Sequence, residues 1–212
     1  MPTFRSLFAA LTAGSLALLV VGVGIAPVAG RAHAQGAAEK PAEKKAAAPA
    51  SPPAPNAGPP KPGPEIDHLK FFEGNWRCDG KVPAGPMGPE HGFKSTFKVK
   101  RDLDGFWYVA EYEQKKSKEN PVPIRARAYF GYDGGTKKYV LSVFDNLGGI
   151  VLETSPGWEG ERMIASGEGT AMGQRVGFRE TFTKKAEKEM AWLGEMKMGK
   201  DWMVVGSDTC RR

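Results

Sequence analysis

Gly74-Asn75-Trp76-Arg77-Cys78-Asp79-Gly80 is the stretch whose reading decides the fold. It reads as the opening strand of a closed β-barrel, and its cysteine has a single partner in the chain, Cys210. The two cysteines stand at the first and last strands of the folded part. A bond between them would fasten the barrel where its ends meet.

Downstream of this strand, periodicity two dominates. Phe93, Phe97 and Val99 alternate with Lys94, Lys98 and Lys100, the pattern of a strand with one wet face. Asp104-Gly105 turns the chain into Phe106 to Glu113. Ile124, Ala126, Ala128 and Phe130 alternate with Arg125, Arg127 and Tyr129. Asp133-Gly134-Gly135-Thr136 then supplies a hairpin turn. Further strands are expected over residues 139–145, 150–154, 162–166, 174–183, 188–197 and 202–207, with turns at Asn146-Leu147-Gly148-Gly149 and Pro156-Gly157. From Trp76 this makes about ten short antiparallel strands at even spacing.

Sequential antiparallel strands of this number hide their edges best by closing into an up-and-down barrel. Closure sets the first and last strands side by side, which is where Cys78 and Cys210 lie. An exported chain meets an oxidising compartment, and in the chain-entropy model a loop of about 130 residues is worth roughly 5 kcal/mol. Two unpaired thiols are the alternative. A catalytic pair fits poorly, since the cysteines are far apart and neither sits at a helix start.

Ahead of the first strand, Ile66, Leu69 and Phe71 or Phe72 recur at helical spacing before Gly74. This predicts one short helix plugging an end of the barrel. The folded domain is therefore placed at 65–212, a length able to bury about 70% of its unfolded surface in one core.

The first 64 residues have a different character. Arg5 precedes an uncharged run from Ser6 to Gly30, and Ala32-His33-Ala34 offers small residues where a signal peptidase reads. Residues 1–34 are expected to be a secretory leader, or an uncleaved anchor, since about 20 apolar residues can span a bilayer. No cysteine follows the run, so lipid attachment is not expected. Residues 35–64, dominated by Ala, Pro, Lys, Glu and Gly, read as a disordered spacer. The expected location is outside the cytoplasm, with membrane contact only through an uncleaved leader.

The net charge of +6 divides unevenly. Residues 1–64 carry +4 and the remainder +2, so the domain has no field to gather phosphates and nucleic acid is not an expected partner.

The tripeptide Gly74-Asn75-Trp76, preceded by a short helix, is similar to the Gly-x-Trp opening of calycin barrels, which include lipocalin, fatty-acid-binding and nitrobindin-like proteins. The longer series resembles the bacterial family called domain of unknown function 1579. It runs from Leu69 and Gly74-Asn75-Trp76 through Leu103-Asp104-Gly105-Phe106-Trp107, Phe130-Gly131-Tyr132-Asp133, Tyr139, Asp145 and Gly148 to Arg211-Arg212. The resemblance spans the chain from about Glu65 onward and implies a calycin-like barrel with an internal cavity, without an established activity. It also implies a structural role for Gly74 and Trp76, with Arg211 as the basic residue packed on Trp76. Nitrobindin-like proteins hold haem through a barrel histidine. Here the domain has only His68 and His91, neither on a late strand, and no cofactor is expected.

Candidate chemistry is sparse. Glu111 and Glu113 share a face with Trp107 and Val109, and could be inward acids or surface partners of Arg125 and Arg127. Glu180 lies on the apolar face of Val176, Phe178 and Phe182, so its burial is expected, with Arg127 as a candidate partner. Met190, Met196, Met198 and Met203 could offer thioethers to copper(I), or simply fill the core. No Gly-x-Ser-x-Gly, phosphate loop or paired zinc cysteines occur, so no catalytic residue is assigned and an acid-base enzyme at Glu180 stays a rival reading. The expectation is an exported barrel binding a small, largely apolar ligand in a cavity lined by Phe106, Tyr108, Tyr112, Phe130, Tyr132, Phe178, Glu180 and Trp192. A filled barrel serving as an envelope interaction module is the alternative.

Overall fold

The computed structural model describes residues 58–85, 88–171 and 173–212. The expected leader and most of the spacer lie outside them. Eleven strands follow one another: β1 Gly74–Val82, β2 His91–Asp102, β3 Trp107–Gln114, β4 Arg125–Asp133, β5 Lys138–Asp145, β6 Ile150–Ser155, β7 Trp158–Glu159, β8 Arg162–Ala171, β9 Gln174–Ala186, β10 Glu189–Met198 and β11 Asp201–Arg211.

Each long strand pairs antiparallel with its sequence neighbour. β6 pairs with β8, and β1 with β11, so ten strands close into a barrel. The two-residue β7 continues the line of β6 along β8 after Pro156 and Gly157 interrupt it. No unpaired edge remains in the ring, the reason such sheets close. Asp133 and Asp145 shape the β4–β5 and β5–β6 turns, accepting from the N–H groups of Gly135 at 2.9 Å and Leu147 at 2.8 Å.

The seam is covalent. Cys78 and Cys210 are directly opposed on β1 and β11 and form a disulfide across 132 residues of sequence.

The expected plug is a 3-10 helix, Pro64–Phe72. Its buried residues Ile66, Leu69 and Phe72 recur every three positions, which suits three residues per turn better than 3.6. Phe72 stacks on Phe130 with ring centroids 5.3 Å apart, and meets Phe182 edge-on at 5.1 Å. Trp76 donates its indole N–H to the Phe72 carbonyl at 2.8 Å, tying plug to first strand. Gly74 between them has a φ of 129°, a conformation open to glycine alone at low cost.

The guanidinium over Trp76 belongs to Arg212, 4.5 Å from the ring, and not to Arg211. Alternation explains the correction. Cys210 points inward, so Arg211 points outward, where it pairs with Glu189 at 3.1 Å. Arg212 returns to cover the plugged end and donates to the carbonyls of Glu73 and Glu187.

Beside the plug the interior is dry. The space among Leu69, Phe130, Tyr139, Met163, Ala165 and Phe182 holds no room for a water molecule. Met190 and Met196 are also buried, as core filler.

Candidate functional site

The half of the lumen away from the plug is polar. Along β3, Tyr108 and Ala110 face the dry core, and Tyr112 and Gln114 continue the same inward face toward the other end. On β9 the inward series is Phe182, Glu180, Phe178, and on β11 it is Cys210, Asp208. On β6 it is Ser155, Glu153, Val151.

Three carboxylates thus enter the barrel from β6, β9 and β11. Glu153 is 1% exposed, and neither of its oxygens has a hydrogen-bond partner among the described residues. Burial drives its pKa far above the ordinary carboxylate range, and the Glu180 carboxylate adds to this. Glu180 is also raised by burial, with a hydrogen bond from Trp192 pulling the other way. It lies deep in the barrel yet keeps accessible surface, which for an inward side chain belongs to the lumen. Asp208 is pushed up to about 7 by burial and by Glu180. Its Oδ1 lies 3.3 Å from Cys210 Sγ, which has no proton to donate because it is in the disulfide.

Tyr112 completes the group. Burial lifts its phenol to about 12, opposed by Ser95 and Gln114 and reinforced by Asp208 and Glu180. Its hydroxyl accepts from Gln114 Nε2 at 3.2 Å.

Small residues make this packing feasible. Gly167 on β8 stands opposite Glu153, and Ala165 stands opposite Glu180. A Cβ at Gly167 would collide with the Leu152 carbonyl and the Glu153 backbone. The Trp192 indole lies across Gly194 and Gly206, so the space over these two glycines is taken by an aromatic wall. An open groove of about 900 Å³ reaches Trp192 and Asp208 and is rimmed by Lys81, Lys94, Lys115 and Lys116.

The residues expected to line a cavity separate into groups. Tyr112, Phe178, Glu180 and Trp192 surround the polar half. Tyr108 and Phe130 are buried in the dry half, and Tyr132 packs against Tyr139 with centroids 5.2 Å apart. Phe106 is not on a barrel strand. It caps the short 3-10 turn Leu103–Gly105, its N–H donating to the Leu103 carbonyl at 3.1 Å.

Arg127 does not reach Glu180. It projects from the outer face of β4, 3.9 Å from Glu111 and 4.0 Å from Glu113. Those two glutamates are therefore surface partners and not inward acids.

Glu153 and Asp208 escaped the sequence reading. β6 carries Ile150 and Leu152 outside, 45% and 56% exposed, and Glu153 and Ser155 inside. Its hydrophobic alternation points the wrong way. Only the pairing of Leu141 with Glu153 across the β5–β6 hairpin discloses the inward face. For Asp208 a signal was present, since Cys210 at a barrel seam places the residue two before it on the same face.

The family described as protein of unknown function (DUF1579) matches residues 61–212, which include the plug and every strand. The chain belongs to the DUF1579 family. No curated protein matches this DUF1579 chain. Among solved structures it is similar to the crystal structure of Rv2717c from M. tuberculosis, with a TM-score of 0.55 and 11% identity, covering 72% of this chain and 99% of that one. At that identity the likeness concerns the fold.

Proposed function

We propose that this DUF1579 protein is exported and binds a small, largely apolar molecule in the half of its lumen away from the plug. The observation that carries this reading is the contrast between the two halves. Beside the plug the aromatics close on one another, whereas Tyr112, Phe178, Glu180 and Trp192 keep accessible surface although they point inward. Concave, mostly aromatic sites with a few convergent polar groups are where small ligands bind. Export is supported by the leader-like run over 6–30 and by the disulfide, a bond that persists in oxidising compartments. Among the described residues no helix is long and apolar enough to cross a membrane.

The dry half favours a second role beside the first, that of a rigid scaffold. Native mass spectrometry of the full chain purified from its own host tests the binding reading. A species heavier than the polypeptide, which returns to the polypeptide mass on gentle activation, is expected. A bare polypeptide that also takes up no small aromatic added in excess overturns it and leaves the scaffold.

A further inference from the structure

The deepest feature of the polar half is an excess of acid with no basic side chain at an inward position beside it. Glu153, Glu180 and Asp208 converge on the lumen from three strands, and the Glu153 oxygens, 1% exposed, have no partner among the described residues. A buried, unpaired polar group of this kind costs free energy that a ligand could return.

The facing strands place no base at an inward position near the acids; Lys81, Lys94, Lys115 and Lys116 stand on the rim of the groove that reaches Asp208, with Lys94 paired to Asp79. Inward positions near the acids hold Ser95 on β2, Tyr112 on β3, Ala126 and Ala128 on β4, and Val143 on β5. On β8 and β10 they hold Gly167, Gly194 and Trp192. Basic residues of the same parity, Arg101 and Lys184, stand at the plugged end. Arg101 bonds Asp67 at 2.8 Å, and Lys184 lies 3.9 Å over Trp158. At the opposite lip, Asp145 is held by the N–H groups of Leu147 and Gly149, and His91 by the Pro89 carbonyl.

We propose that this end of the lumen is a site for an organic cation, an ammonium group carried on an aromatic or aliphatic body, held by Glu153, Glu180 and Asp208. The proposal rests on the lumen-binding reading and names the ligand class. The acids would take the charged head as charge-assisted acceptors. Trp192, Tyr112 and Phe178 would flank its body, and an aromatic face attracts a nearby cation.

A bare metal ion fits less well. A calcium or magnesium site needs oxygens about 2.0–2.6 Å from one ion, so its ligands crowd together. Among the described residues the one group of candidate ligands within 4.8 Å of one another is Cys78, Asp208 and Cys210, and its sulfurs are bonded to each other. The three acids form no such group.

Because burial raises all three acids, a cation bound beside them would favour their ionised forms and displace protons. Affinity should therefore rise from pH 6 to pH 8.

Isothermal titration of the full chain with 2-phenylethylamine, 2-phenylethanol and 3-phenylpropionate tests this. The amine is expected to bind about tenfold or more tighter than the alcohol, as a hydrogen bond to a charged group implies, and the anion not to bind. Glu180→Gln, which keeps shape and volume, should bring the amine down to the alcohol. Equal affinity for amine and alcohol in the wild type overturns the cation assignment while leaving lumen binding standing. Absence of binding by all three probes overturns both. The wild-type comparison decides the matter even where the variant folds poorly.

Discussion

Glu153 on β6 and Glu180 on β9 enter the lumen from the two strands that flank β8, which sets Gly167 opposite the first and Ala165 opposite the second. Two carboxyl groups so placed cannot both ionise cheaply.

The pair has a pH signature. Glu153 rises from 4.5 to about 9 on folding and Glu180 toward about 7. Between the ordinary value and the raised one, the folded chain holds a proton that the unfolded chain has lost. Their contribution to stability is complete below about pH 4.5 and is lost as pH rises through neutrality to about 9, at up to about 1.4 kcal/mol per pH unit for each group. Asp208 adds the same trend up to about 7. Scanning calorimetry from pH 5 to 9 should show a falling midpoint, with a shallower fall and a higher midpoint at pH 8–9 in Glu153→Gln. An equal slope in the two proteins would mean that Glu153 is not buried in solution.

Gly167→Ala should be costly. Its new methyl would meet β6 backbone at the Leu152 carbonyl and Glu153, and backbone has no rotamer by which to yield. A loss of about 2–3 kcal/mol is expected from such overpacking, read as a lower urea midpoint. Gly148→Ala, at a turn with open space around it but a φ of 82°, separates the two causes, since its cost is conformational alone.

The disulfide closes a long loop, its cysteines 132 positions apart in sequence. Cys78→Ser with Cys210→Ser should lower stability by up to about 5 kcal/mol in the chain-entropy model, while the closed ladder between β1 and β11 keeps the strand content at low temperature. Thermal unfolding followed by circular dichroism, with and without a reductant, checks both halves of this expectation.

The two terminal arginines should differ. Arg212→Ala removes a cation from over Trp76 and two bonds to carbonyls, a loss of about 1–2 kcal/mol. Arg211→Ala breaks an exposed pair with Glu189, worth under about 1 kcal/mol. Paired urea titrations measure the ordering, and a larger effect at Arg211 would reverse the assignment.

Much of the barrel was legible before any coordinates. Lys94, Lys98 and Lys100 against Phe93, Phe97 and Val99 mark β2 with its inner face, because charge cannot enter a dry core unpaired. Asp133 and Asp145 mark their turns, and the two cysteines mark the seam. Lumen chemistry was less accessible. Glu180 showed itself as a charge on an apolar face, but Glu153 lay hidden behind outward Leu152, and Arg127 was placed near Glu180 when it belongs to the outer face.

The sequence by itself determined the strand order, the plug and the covalent closure, since turns, alternation and cysteine count are local or pairwise properties of the chain. Tertiary structure alone decided which face of β6 turns inward, which arginine covers Trp76, and that three acids share one lumen. Those depend on register carried from strand to strand around a closed ring, including the irregularity between Gly194 and Glu195, and a single-residue slip exchanges the faces of every strand beyond it.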